Sequence, residues 1–118
     1  MPGVKVTGDF SSIVDALEAN SPNSITPITP SFPTPITATT TSSTVLAANA
    51  GRRYAILIND GSVDVYLKVG EPAVAHTGIR INANGGSYEM SRPLGNLMTG
   101  AVTGITVSGS AVVLVTEG

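Results

Sequence analysis

The sequence predicts an all-β fold, a small antiparallel β-sandwich or barrel of jelly-roll type, preceded by an extended N-terminal arm rich in proline and threonine. From residue 44 onward, short apolar and β-branched runs alternate with Gly, Asn and Pro turn signals about every 8–12 residues. The 118 residues include no cysteine, so one small core without disulfides is expected. Residues 21–43 suit neither a helix nor a central strand, because proline recurs there. The chain is therefore divided into an arm, residues 1–43, and a β domain, residues 44–118.

One short helix is predicted in the arm, over about residues 10–19. Ser12 with Asp15 forms a modest capping signal, and Asn20 and Pro22 end the pattern. Apolar residues recur at helical spacing on one face, namely Phe10, Ile13, Val14 and Leu17. A helix of about two turns is marginal alone in water, so this face is expected to pack on its own domain or on a partner.

The extended part of the arm, residues 21–43, is the most informative segment for function. It holds five of the eight prolines, and no charged residue lies between positions 18 and 52. Over part of it proline recurs every third residue, which is the period of polyproline II. A disordered linker is one interpretation of this composition. The apolar residues spaced along it favour an arm that lies on a partner or on a neighbouring subunit. Its predicted anchors are Ile25, Ile28, Phe32 and Ile36.

The β domain is organised around residues 52–69, which predict a β-hairpin. Residues 54–58 have the continuous hydrophobicity of a strand covered on both faces, whereas residues 63–69 alternate. The turn between them, residues 59–62, consists of residues that tolerate the positive φ of tight hairpins. Further short strands are predicted over residues 44–47, 77–81, 87–90, 97–102, 104–107 and 111–116.

The residue inventory contains no catalytic constellation, so we predict no enzyme activity, no cofactor and no metal. His76 is the only histidine, and a nucleophilic triad or a zinc site needs further partners. Asp60 and Asp64 are assigned to a turn and to a solvated strand position rather than to a calcium site. Charged residues form only 12% of the chain and the net charge is −2, which argues against nucleic-acid binding. No apolar run approaches the roughly 20 residues that span a membrane, so no membrane partner is expected.

Several residues of the predicted hairpin are candidate partner contacts of the β domain. Arg52 and Arg53 stand at the start of the first strand, where they either meet phosphates, cap a strand or pair with an acidic residue of a neighbour. Asp64, Tyr66 and Lys68 alternate with the apolar positions of the second strand and are expected to face outward. An exposed tyrosine at position 66 could serve as a platform for a sugar. These candidates are Arg52, Arg53, Asp64, Tyr66 and Lys68.

Residues 44–118, about two-thirds of the chain, resemble small β-structured virion proteins of tailed bacteriophages. The resemblance rests on the order of short β-protein phrases rather than on any one of them. These phrases are VLAAN at 45–49, RRYAILIN at 52–59, VYLKVG at 65–70, GIRI at 78–81, GGSYE at 85–89, GAV at 100–102, SGSA at 108–111 and VLVTE at 113–117.

This resemblance implies a non-enzymatic structural protein located in the virion and assembled in the host cytoplasm. Proteins of this kind serve as capsid cement or decoration proteins, head fibres or tail-associated components, often as trimers with an N-terminal extension. The expected function is that of a cement protein that stabilises the head shell, with the major capsid protein or another virion protein as its partner. The alternative is a carbohydrate- or receptor-binding module of a head fibre or tail, with the threonine-rich segment as its stalk.

Overall fold

The computed structural model describes residues 27–118 of the chain. The predicted helix over residues 10–19 and the predicted anchor Ile25 lie outside the described residues.

The described residues form two four-stranded antiparallel sheets and contain no helix. The first sheet has the strand order β1-β8-β3-β6 and the second has the order β2-β7-β4-β5. The prediction of an all-β antiparallel sandwich is confirmed. The strands are β1 (Ile36–Ala38), β2 (Ser43–Leu46), β3 (Tyr54–Asn59), β4 (Val65–Val69), β5 (Ile79–Ile81), β6 (Ser87–Ser91), β7 (Val102–Ile105) and β8 (Ala111–Glu117).

The core lies between the two sheets and is built by alternation along the strands. In β3 the side chains of Ala55 and Leu57 are buried, whereas their neighbours in the strand are half-buried. In β8 the side chains of Val113 and Val115 are buried in the same way, and Val112 faces outward. Burying one such aliphatic side chain stabilises the fold by about 1.5–3 kcal/mol, so this alternation sets the register of both strands.

The predicted hairpin between β3 and β4 is wrong, because these two strands belong to different sheets. β3 pairs with β6 and β8, whereas β4 pairs with β5 and β7. The connection crosses from one sheet to the other, and a close approach fixes its path. A Cβ atom at Gly61 would lie 2.6 Å from the Ala111 Cα, so only glycine fits there against β8. The same residue types that favour a tight hairpin turn therefore build an arch between the sheets.

Most other connections between consecutive strands also change sheet. Only β4 and β5 are neighbours both along the chain and within one sheet. The two strands predicted over residues 97–102 and 104–107 are a single strand, β7, which is preceded by an irregular segment. The sandwich is therefore held together by pairings between distant parts of the chain.

Strand β1 lies within the segment that the sequence assigns to the arm. Ile36 and Ala38 pair with Val113 and Ala111 of β8, and Ser31 forms a further bridge to Glu117. Pro33 and Pro35 precede this strand, which is at the edge of the sheet, where a missing backbone N–H is tolerated. The described part of the predicted arm thus contributes an edge strand to the sandwich.

Candidate functional site

An open groove lies on the side of the sandwich where the edge strands β1 and β2 meet. We call it the β1/β2 groove, and its volume is about 500 Å³. The arm forms one wall through Pro33 and Ile36, and the chain from Val45 to Ala48 forms the other. Most of its lining side chains are apolar, and the lining also includes Glu117, whose carboxylate is bound by Arg52. Grooves of this size and chemistry are suited to taking up an apolar side chain of a binding partner.

A bulge in the arm turns Phe32 outward beside this groove. Between the pairs Ser31–Glu117 and Ile36–Val113 the arm advances five residues while β8 advances four. The extra residue takes the chain out of the ladder, as in a β-bulge. The Phe32 side chain is 74% exposed, and Ile36 is 37% exposed at the sheet edge. Ile36 therefore lines the β1/β2 groove, whereas Phe32 adjoins it along the chain, next to Pro33 of its wall.

The start of the described arm is fixed to the C-terminal end of the chain. The Arg53 guanidinium donates a hydrogen bond from Nη2 to the Pro27 carbonyl oxygen at 3.0 Å. Gly118 forms two backbone hydrogen bonds with Tyr54, and a Cβ atom at Gly118 would lie 2.8 Å from the Ile28 Cβ. Ile28, the third predicted anchor among the described residues, thus packs against the end of β8. It holds the arm on its own domain.

Arg52 is buried at one end of the sandwich, where it joins four segments of the chain. Its Nε donates to the Glu117 carboxylate at 2.8 Å, and Nη2 donates to the Ala47 carbonyl oxygen at 2.7 Å. Nη1 donates to the carbonyl oxygens of Met98 and Gly100. The bonds tie the end of β2, the segment before β7 and the end of β8 to the start of β3. Because the side chain is enclosed and its donors are used within the chain, Arg52 serves the fold rather than a contact surface.

The outward set predicted on β4 also makes contacts within the chain. Asp64 Oδ1 accepts a hydrogen bond from the Ala83 backbone N–H at 2.8 Å. Lys68 forms an ion pair with Glu71 at 3.3 Å, which is partly exposed and contributes little to stability. These two residues keep some exposed surface, but they lie outside the β1/β2 groove.

Tyr66 differs from its prediction, because its side chain is buried and not presented to solvent. It is 7% exposed, and its hydroxyl lies 3.0 Å from His76 Nδ1. The two rings meet edge to face at a centroid distance of 5.1 Å. Alternation places Tyr66 on the outer side of the second sheet, but the loop that carries His76 returns over it. Tyr66 is therefore not an open platform for a sugar ring.

The outer side of the first sheet carries one perturbed titratable group. The Tyr54 hydroxyl donates a 2.7 Å hydrogen bond to Glu89 Oε2, and this bond, with partial desolvation and the nearby negative charge, raises the pKa of Tyr54 above 10.0. A raised pKa favours the protonated phenol in the folded state. Its contribution to folding is thus complete below pH 10 and is lost as the pH rises through the folded-state value.

We expect the urea midpoint of the wild-type chain to fall more steeply between pH 9 and pH 11 than that of Tyr54→Phe. The variant lacks the ionisable group, so the difference between the two curves isolates its titration. Tyr88→Phe is a matched control elsewhere on the same sheet. Parallel curves for wild type and Tyr54→Phe would show that the Tyr54–Glu89 bond does not couple to folding.

No group of three or more His, Asp or Glu side chains suited to a metal ion occurs among residues 27–118. Within the same range no helix is long and apolar enough to cross a membrane. Comparison of the chain with models of protein families, with curated proteins and with solved structures gave no match.

Proposed function

We propose that this chain is a non-enzymatic structural protein of a phage particle, a cement protein that binds and stabilises the head shell. The observation that carries the proposal is Phe32, which is 74% exposed on a bulged arm beside the open β1/β2 groove. An apolar side chain held out in this way is suited to a pocket on another protein. The proposed partner is the major capsid protein or another virion protein, and the proposed state is a homo-oligomer, with a trimer favoured.

The strand order supports the proposal at the level of the fold. The orders β1-β8-β3-β6 and β2-β7-β4-β5, with sheet changes at most connections, correspond to an eight-stranded jelly roll. This architecture is frequent in viral capsid proteins and also in lectins. The support is by analogy, since one fold hosts many functions. The phrases of residues 44–118 that resemble phage virion proteins point in the same direction.

Residues 27–38 of the arm are held on the sandwich before a partner is met, which favours binding. The Arg53 bond to Pro27, the Ser31 bridge to Glu117 and the pairing of β1 with β8 hold both flanks of Phe32. Less conformational entropy is then lost on association. Burying Phe32 contributes about 1.5–3 kcal/mol, and Ile36, which is only 37% exposed in the free chain, contributes less. One copy therefore binds weakly, whereas an oligomer on a regular shell gains affinity because several arms bind together.

We expect Phe32→Ser to weaken binding to phage particles assembled without this chain by roughly 10- to 100-fold. The measurement is co-sedimentation of the purified full-length chain with such particles over a range of concentrations. Leu94→Ser is the matched control, because Leu94 is also an exposed apolar residue but lies in the loop after β6, outside the groove.

Equal binding by wild type and Phe32→Ser would show that the arm is not part of the contact surface. Absence of binding by the wild-type chain would overturn the cement role. Deleting residues 1–43 is unsuitable for this purpose, because the deletion removes strand β1 and the Ser31 bridge. A point substitution at an exposed position avoids that loss of structure.

A further inference from the structure

A second depression lies on the outside of the second sheet, far from the arm in sequence and without a shared lining residue. This cleft has a volume of about 340 Å³ and is formed by β4, the His76 loop and the segment after β7. We call it the His76 cleft. Its polar lining comes from Ser62, Asp64, His76 and Ser108, and its apolar lining includes Val107.

The backbone of His76 is held in an unusual conformation at the cleft. Its φ is 63°, in the left-handed region that few non-glycine residues adopt, although histidine does so more often than most. The Tyr66 hydroxyl at 3.0 Å from Nδ1 and the edge-to-face contact with the Tyr66 ring fix the imidazole. Such conformations cost free energy and persist where the surroundings over-determine them, which is common at binding sites. Tyr66, itself buried, is thus a positioning residue for His76.

The hydrogen-bonding groups of the cleft are only partly used within the described chain. His76 makes its side-chain bond through Nδ1, so Nε2 remains for a ligand. Asp64 Oδ1 accepts the Ala83 N–H, which fixes the carboxylate and leaves Oδ2 as an acceptor. The hydroxyl groups of Ser62 and Ser108 both donate and accept. The cleft therefore offers a preoriented carboxylate oxygen, a ring nitrogen that donates or accepts according to its tautomer, and adaptable hydroxyls around a small volume.

These groups select among ligand classes. One carboxylate without further acidic ligands is a poor site for a calcium ion, and its charge disfavours an anion. Vicinal hydroxyl groups of a neutral sugar suit an Asp carboxylate, a ring nitrogen and serine hydroxyls. Val107, which is 54% exposed, offers a surface for the C–H face of a sugar ring. The volume lies at the small end of ligand sites, which run from about 300 to 1,000 Å³.

We infer that the His76 cleft binds one residue of a neutral glycan, through Asp64, His76 and the two serine hydroxyls. This site is separate from the β1/β2 groove and does not depend on the cement role. It differs from an open stacking platform, because Tyr66 also lines the cleft but is only 7% exposed, and its hydroxyl orients His76. An open cleft with few contacts gives weak binding to a single sugar.

The test is a two-dimensional NMR titration of the full-length chain with glucose, galactose, mannose and N-acetylglucosamine, each up to about 50 mM. At least one sugar is expected to shift the amide signals of His76, Asp64 and Ser108 with a dissociation constant in the millimolar range. Asp64→Asn and His76→Ala are expected to weaken that binding at least 10-fold. Tyr66→Phe, which keeps the ring but removes the hydroxyl, is expected to weaken it less.

Glu71→Gln is the matched control, because Glu71 is an exposed acidic residue near β4 that does not line the cleft. Thermal unfolding of each variant shows whether it keeps the fold. Asp64→Asn retains the acceptor for the Ala83 N–H, so a folded variant is expected. The inference is overturned if none of the four sugars shifts these signals, if the shifts map to another surface, or if folded Asp64→Asn and His76→Ala bind as the wild type does.

Discussion

Replacing Arg52 with alanine is expected to lower the free energy of unfolding by about 3–5 kcal/mol, the largest effect of any single substitution proposed for this chain. The guanidinium is enclosed between the end of β2, the segment before β7 and the end of β8. Its removal leaves the Glu117 carboxylate and the carbonyl oxygens of Ala47, Met98 and Gly100 without their donor. A domain of this size has only about 5–15 kcal/mol of net stability, so this loss is a large share of it.

Urea denaturation followed by far-ultraviolet circular dichroism measures this effect. Arg53→Ala is the matched control, because the neighbouring guanidinium is half-buried and makes a single bond to the Pro27 carbonyl oxygen. We expect less than about 1 kcal/mol for the control. A similar loss for the two alanine variants would mean that the four-way contact of Arg52 does not dominate this end of the sandwich.

The fold class was predictable because it depends on local patterns. The alternation of Val65 and Leu67 with polar neighbours and the glycine-marked turns specify short strands, and most predicted strands occur within a few residues of the observed ones. The pairing of those strands was not predictable in the same way. Residues 59–62 suit both a hairpin turn and an arch, and the choice between them is made by β6 and β8, which follow much later in the chain.

The candidate sites show the same division between local and distant information. The sequence singled out Phe32 and Ile36 as apolar residues in an uncharged segment, and the structure places both beside the β1/β2 groove. Nothing in the sequence indicates that the other wall of this groove comes from β2. The alternation of residues in β4 correctly predicts which side of the sheet Tyr66 occupies. It does not predict that the loop carrying His76 covers Tyr66. The sequence predicts no site role for His76, because it contains no cysteine and no second histidine; the observed partner of His76 is Tyr66, ten positions earlier on β4.

Two enclosed polar side chains flank the central strand β3 and explain why the stretch around it organises the domain. Arg52 precedes the strand and binds the segments at one end of the sandwich, and Asn59 ends the strand and binds those at the other. Each of these two side chains forms hydrogen bonds with backbone groups in the connections between the sheets. Without these bonds the backbone groups would lack a partner. Apolar packing holds the two sheets together, whereas these two side chains specify the connections between them.

Replacing Asn59 with leucine is expected to lower the free energy of unfolding by roughly 2–4 kcal/mol, because buried backbone groups lose their partners. Asn59 is fully buried; its Nδ2 donates to the carbonyl oxygens of Val63 and Ile81, and its Oδ1 accepts the Gly61 N–H. Leucine has a similar size, so the effect reports the lost hydrogen bonds more than a cavity. Asp60→Ala, at the exposed next position, is the control and should stay within about 0.5 kcal/mol of the wild type.

Asn59→Asp separates hydrogen bonding from packing more sharply, because it changes one group of the same side chain. A carboxylate at this position still accepts the Gly61 N–H, but its second oxygen faces the carbonyl oxygens of Val63 and Ile81. Burial and these two acceptors raise the pKa of the introduced carboxyl group in the folded state. The protonated form can donate to one carbonyl, so the variant is expected to be more stable at pH 4 than at pH 7, relative to the wild type. Equal losses at both pH values would contradict the placement of this side chain, buried and with Nδ2 against the carbonyl oxygens of Val63 and Ile81, because both features make the loss grow as the pH rises.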